Sequence, residues 1–168
     1  NLIGTRNVTW LKYTEGNTSV GTADGAGGEW AAAGVNTLAM IAEATANSYT
    51  PEWFIWIQGE ADLGATNSAA YQTNLEATFT ALRTAWGAGL KIIIVKQFAF
   101  QSTIGIPGLP VLQAAQVAIA AAQANTYLVD PVAEGVVLPT DANDVIHYNA
   151  LGIDKVAKAC YEIINDNL

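Results

Sequence analysis

The chain has 168 residues, enough for one domain with a sizeable core, and its 51% apolar and 13% charged composition excludes a disordered segment. Fifteen acidic against seven basic residues give a net charge of −8, which repels phosphate backbones and makes nucleic acid a poor partner. No apolar run reaches the roughly 18 residues of a membrane span, and a single cysteine, Cys160, excludes an intrachain disulfide.

Strand-like and helix-like stretches alternate along the chain. Val8 to Tyr13 is rich in β-branched and aromatic residues and predicts a strand that stops at the turn Gly16-Asn17. A glycine-rich loop, Gly21 to Gly28, leads to Glu29, an acid suited to the first turn of a helix reaching about Ala46, with Leu38, Ile41 and Ala42 on its apolar side. Trp53 to Ile57 is wholly apolar, as expected of a strand covered on both faces. The next helix is capped by Asn67 or Ser68, repeats Tyr71, Leu75, Phe79, Leu82 and Trp86 at four-and-three spacing, and ends at Gly87 and Gly89. Lys91 to Phe100 reads as another buried strand. After the loop Gly105 to Pro110 comes a helix with Leu112, Ala115, Ile119 and Ala122 on one side. Thr126 to Val129 is a last strand, ended by Asp130-Pro131, and a closing helix from about Asn149 groups Ile153, Val156, Cys160 and Ile163. In that setting Cys160 is a buried thiol.

Apolar strands separated by helices imply right-handed parallel crossovers and helices on both sheet faces. The expectation is therefore one α/β domain over residues 1–168, a three-layer α/β/α sandwich with a doubly wound parallel sheet of the flavodoxin-like kind. Ligands in such sheets bind beyond the carboxyl ends of the strands. Three loops fall there: Glu15 to Ser19, Gln58 to Asp62, and Asp141 to Asn149.

His147 is the only histidine, so a histidine-based mechanism must use it. Asp144, three residues earlier, is placed to accept from one imidazole nitrogen and leave the other as a base for a hydroxyl nucleophile. The bland reading is a surface histidine near a helix start. Gln58-Gly59-Glu60 follows a strand directly, where the glycine allows close backbone approach and the glutamine can donate to a developing oxyanion, or simply make the turn. Gly16 and Asn17 hold the equivalent place after the first strand. Of the five tryptophans, Trp10, Trp53, Trp56 and Trp86 fit core patterns, and Trp30, beside the glycine-rich loop, is the candidate for sugar contact.

Together these loops carry a resemblance. Trp56-Ile57-Gln58-Gly59-Glu60-Ala61-Asp62 closely resembles the W-x-Q-G-E-[SA]-[DN] signature of the sialate O-acetylesterase-like and acetylxylan esterase-like branch of the SGNH (GDSL-type) hydrolases. Asp144 to His147, followed by Tyr148-Asn149-Ala150-Leu151-Gly152, is similar to that superfamily's D-x-x-H-[LFY]-[NT]-x-x-G block. Leu11 to Thr18 is similar to the block whose glycine contributes to the oxyanion hole. The resemblance implies an esterase removing acetyl or short acyl groups, often from carbohydrate, without metal or organic cofactor. His147 would be the base and Asp144 its partner; Gly16 and Gln58 would stabilise the oxyanion, with Asn17, Gly59 and Glu60 shaping the site.

The superfamily's nucleophile block, Gly-[DQ]-Ser-[LN], has no counterpart. In Ile3-Gly4-Thr5-Arg6-Asn7 an arginine stands where the serine belongs, only ten positions before Gly16. None of Ser19, Ser48, Ser68 and Ser102 lies in a nucleophile-like turn, Ser19 being nearest the site. The nucleophile is thus unknown and expected outside this chain, on an N-terminal fragment or partner chain that also completes the sheet and covers an otherwise apolar edge. The alternative is a non-catalytic binding or structural module of the same fold in an extracellular assembly. A flavodoxin-like nucleotide binder lacks support, since Gly21 to Gly28 has neither a P-loop ending nor a dinucleotide spacing. Nothing at Asn1 to Leu11 resembles a signal peptide, yet low charge and scarce cysteine fit a secreted protein. The expected substrate is an acylated carbohydrate.

Overall fold

The computed structural model describes residues 9–16, 18–21, 28–100, 103–137 and 148–168. In chain order the elements are α1 (Val35–Ala46), β1 (Trp53–Trp56), a one-turn 3-10 helix (Glu60–Asp62), α2 (Ala65–Trp86), β2 (Lys91–Val95), α3 (Gly108–Ala122), β3 (Thr126–Val129) and α4 (Ala150–Asp166). The three strands form a parallel sheet in the order β1-β2-β3, with Trp53 opposite Lys91 and Ile92 opposite Thr126. Parallel neighbours need long crossovers, which α2 and α3 supply. The α/β class read from the sequence therefore holds.

Strand alternation divides the core. Ile92 and Ile94 pack with Met40 and Ala44 of α1, with Tyr71, Leu75, Phe79 and Leu82 of α2, and with Leu112, Ala115 and Ile119 of α3. Ile93 and Val95 point the other way and pack with Val156, Ala159, Cys160 and Ile164 of α4. Cys160 is buried, as its pattern suggests, and burial pushes its thiol up to about 11, so it stays protonated and behaves as a small apolar group.

Several sequence expectations shift. Residues 9–13 are irregular and Trp10 is 69% exposed, so this stretch is neither a strand nor core here. Thr9, Lys12 and Thr14 break up its apolar character, and β-propensity without a pairing neighbour makes no strand. The run after Lys91 leaves the sheet at Val95, where the partner strands end at Trp56 and Val129 and no ladder remains. Helix α1 starts at Val35, not near Glu29, and buries Asn36, Thr37, Met40 and Ala44, whereas Leu38 is exposed. Its rotation is set by Gly34, where a Cβ would stand 2.2 Å from the Gly28 carbonyl oxygen and 2.3 Å from that of Glu29. Helix α2 begins after Gly64, ahead of the expected caps, but buries Tyr71, Leu75, Phe79, Leu82 and Trp86 as read.

Candidate active site

Because the strands are parallel, the segments after β1, β2 and β3 leave the same end of the sheet. Gln58 to Asp62 follows β1, Lys96 to Phe100 follows β2, and Asp130 follows β3 and is ion-paired with Lys96. This is the end expected to carry function.

The Gln58–Asp62 turn is built on glycine and an acid. At Gly59 a Cβ would lie 2.9 Å from Gln97 Oε1 and 3.0 Å from Leu112 Cδ2, so the bare backbone is what lets the turn settle onto α3. Asp62 is fully buried; its Oδ1 accepts from the Gly21 N–H at 2.7 Å, and its Oδ2 accepts from the Val20 N–H at 2.9 Å and from Gln58 Nε2 at 2.6 Å. Gln58 Nε2 also donates to the Thr18 carbonyl at 3.0 Å. Both amide protons of Gln58, expected from the sequence to face an oxyanion, are thus directed at protein acceptors. The Gly16 loop is thereby joined to the Gln58–Glu60 turn. Thr18 closes the loop by donating its hydroxyl to the Glu15 carbonyl at 2.9 Å while accepting from Trp30 Nε1 at 2.7 Å. At Gly16 itself no described atom lies within 4 Å of where a Cβ would stand, so its backbone borders open space.

Trp30 is not a sugar platform: it is 6% exposed and packs edge-to-face between Tyr13 and Trp56, its indole N–H spent on Thr18. Ser19 is equally structural, its hydroxyl donating to the Gly21 carbonyl and accepting from the Gly28 N–H.

Beneath the turn lies a polar network that the sequence reading missed. The Tyr71 hydroxyl accepts from Trp56 Nε1 and Gln116 Nε2, each at 3.1 Å, and donates to the Gln58 carbonyl at 3.3 Å. Gln116 Oε1 accepts from the Gln97 N–H at 2.7 Å, and Gln97 Nε2 donates to Glu60 Oε1 at 3.2 Å. Burial holds the Tyr71 phenol far above its ordinary range, so it remains a neutral donor. The one visible signal was polarity out of place: Gln116 shares the buried face of Leu112 and Ile119, and Gln97 interrupts an apolar run.

The third loop reaches the site through Tyr148, whose ring packs on Phe98 and Phe100 at 5.6 and 5.0 Å between centroids. Burial, then the Glu60 and Asp130 carboxylates, push its phenol far up. Asn149 caps α4, its Oδ1 accepting from the Gly152 N–H at 2.8 Å, and a Cβ on Gly152 would press on that same oxygen at 3.3 Å. Asn149→Ala is expected to cost about 1 kcal/mol, a fall of roughly 2–4 °C in Tm by thermal unfolding. Asp144, His147 and Asn17 lie outside the described residues. Gly16, Gln58, Gly59, Glu60 and Tyr148 are described, and the first four are joined through Thr18 and Asp62. Among the described residues no group of three or more His, Cys, Asp or Glu could hold a metal, and no helix is long and apolar enough to cross a membrane.

A family model described as carbohydrate esterase, sialic acid-specific acetylesterase, matches residues 20–163. The match takes in Gln58 to Asp62, Asp144 and His147, and begins after Gly16. No curated protein matches the chain.

Proposed function

The chain belongs to the sialic acid-specific acetylesterase family of carbohydrate esterases, and on that premise we propose that it forms the acid–base and oxyanion side of a Ser-His-Asp ester-hydrolysis site. Membership implies carbohydrate acetylesterase activity in general. The finer reading is that acetyl or similar short acyl groups are removed from carbohydrate by a serine located outside these 168 residues. The observation that carries it is the Gln58–Thr18 bond, which sets the Gly16 loop beside the Gln58–Glu60 turn at the carboxyl end of the sheet.

In this reading His147 takes the proton of the attacking hydroxyl and returns it to the leaving sugar oxygen, and Asp144 holds the imidazole in the required tautomer. The Gly16 N–H stabilises the tetrahedral oxyanion. A second transfer through His147 activates the water that frees the acid. The net charge of −8 favours neutral acyl sugars over anionic ones, and the scarcity of charge and cysteine is in keeping with a secreted protein.

Two observations support a serine supplied from elsewhere. The hydroxyl of Ser19 is engaged within its own loop, Ser48 follows α1 at the opposite end of the sheet, and Ser68 is buried in α2; Ser102 lies outside the described residues. Among the described residues, moreover, β1 pairs on one side only. Between its α4-facing side chain Ile55, with Ile57 just beyond, and helix α4 lies a groove of about 380 Å³ lined by apolar side chains, among them Ile153, Val156 and Ile164. An apolar strand carrying the nucleophile and lying parallel to β1 would cover an aggregation-prone edge and reverse the strand order, giving the doubly wound sheet.

Acetate release from O-acetylated sugars, one neutral and one a sialic acid, by the whole natural protein tests this. The expected rate is on the order of 10⁶-fold or more above buffer. No release above buffer contradicts it and leaves a non-catalytic module of the same fold.

A further inference from the structure

We propose that Asp62 is the positioning residue of the oxyanion loop, and that Gln58 serves with it as one strut instead of donating to substrate; this rests on the hydrolytic reading above. A fully buried carboxylate must replace lost hydration with donors, and Asp62 does so with the two backbone N–H groups of Val20 and Gly21 and the side-chain amide of Gln58. The residues it grips stand 41 and 42 positions away in sequence, so the contact fixes one loop against another and is not merely a local turn. Gln58 extends the grip. A primary amide has two protons, and here one goes to Asp62 and the other to the Thr18 carbonyl, leaving none for an oxyanion. From Thr18 the restraint passes across Gly16 to the Glu15 carbonyl, and Trp30 Nε1 holds the hydroxyl that makes this link.

Gly16 is therefore bracketed by a chain of bonds that starts at one buried carboxylate. An oxyanion donor acts only within about 2.7–3.1 Å of the charge it stabilises, and a misplacement of about 1 Å costs on the order of 10²-fold. Asp62→Asn keeps the shape but turns one acceptor into an amino group facing an N–H donor. Gln58→Met keeps the length and removes both links of the amide.

The test uses the whole natural protein and an acetyl ester, with kcat and KM measured for Asp62→Asn, Gln58→Met and the double variant. Each single variant is expected to lose about 10- to 10²-fold in kcat with KM changed less than about threefold. Hydrogen exchange at the Val20 and Gly21 amides should rise in Asp62→Asn, while the Ile92 amide, bonded to the Asn125 carbonyl, stays protected. The double variant should be no slower than the worse single one, because the two residues act as a unit. Losses that multiply would identify Gln58 as an independent donor and overturn the proposal, as would parental kcat in either single variant. If Asp62→Asn does not fold, Gln58→Met decides through hydrogen exchange: faster exchange at the Val20 and Gly21 amides is expected of a strut, and unchanged exchange with a fall in kcat identifies Gln58 as a direct donor and overturns the proposal. A His147→Ala variant run alongside separates the two levels: parental activity there contradicts the hydrolytic reading itself, whatever the strut variants do.

Discussion

His147→Ala lowers kcat/KM of the whole natural protein toward an acetyl ester by about 10³-fold or more, with the fold unchanged by circular dichroism. No second imidazole exists to take over, because His147 is the only histidine. General acid–base catalysis contributes roughly 10²–10⁴-fold, and members of a triad fail together, so the upper part of that range applies. The structure fixes what flanks His147 on its C-terminal side: Tyr148 is wedged on Phe98 and Phe100, and Asn149 locks the first turn of α4. Asp144→Asn moves activity in the same direction by leaving the imidazole without its orienting acceptor. Steady-state kinetics measures both, and His147→Ala with parental kcat/KM removes the histidine from the mechanism.

Gly108→Ala produces a large loss of stability. The added Cβ would fall 2.0 Å from the Leu63 carbonyl oxygen and 2.7 Å from its carbon. Neither side yields cheaply, since the obstruction is backbone and Gly108 begins the helix that packs on α2 and the sheet. Overpacking of a tight site costs typically 1–3 kcal/mol and occasionally more. Here about 3 kcal/mol is expected, a drop of roughly 6–12 °C in Tm for a chain of this length. Activity should fall with it, because the same contact seats α3, whose Gln116 donates to the Gln58 carbonyl of the Gln58–Asp62 turn and whose Gln113 donates to the Gln97 carbonyl. Gly89→Ala is the control: no atom lies within 4 Å of the added carbon, and the change should stay within about 0.5 kcal/mol. Equal melting temperatures for the two variants would contradict this account of α3 packing.

Long periodic elements were legible in the sequence. The α2 stripe from Tyr71 to Trp86, the short strand Thr126–Val129 and the start of the closing helix near Asn149 all stand where the residue pattern puts them. What misled was local propensity without knowledge of neighbours. Val8 to Tyr13 has strand composition, yet residues 9–13 find no pairing partner among the described residues, and Trp10 is exposed. For α1, a backbone contact at Gly34 with the preceding loop decided which face was buried, and periodicity carries no trace of such a contact. The site divides in the same way. Gly16, Gln58 and Glu60 were legible as a motif, and the structure joins their loops. The hydrogen bonding of Gln58 was not, since its two acceptors come from positions 18 and 62. Asp62 was readable only as the last letter of a signature, although its carboxylate holds the loops together. The buried Tyr71–Gln116–Gln97 network links residues 19 to 45 positions apart, beyond the reach of any local pattern.

The central claim, that these loops serve a serine supplied from outside the 168 residues, is tested most directly by fluorophosphonate labelling of the natural source protein, read by intact mass and peptide mapping. The account predicts one labelled serine on a segment other than this chain, with labelling lost in His147→Ala. Label on Ser19, Ser48, Ser68 or Ser102, or labelling that survives His147→Ala, would contradict it.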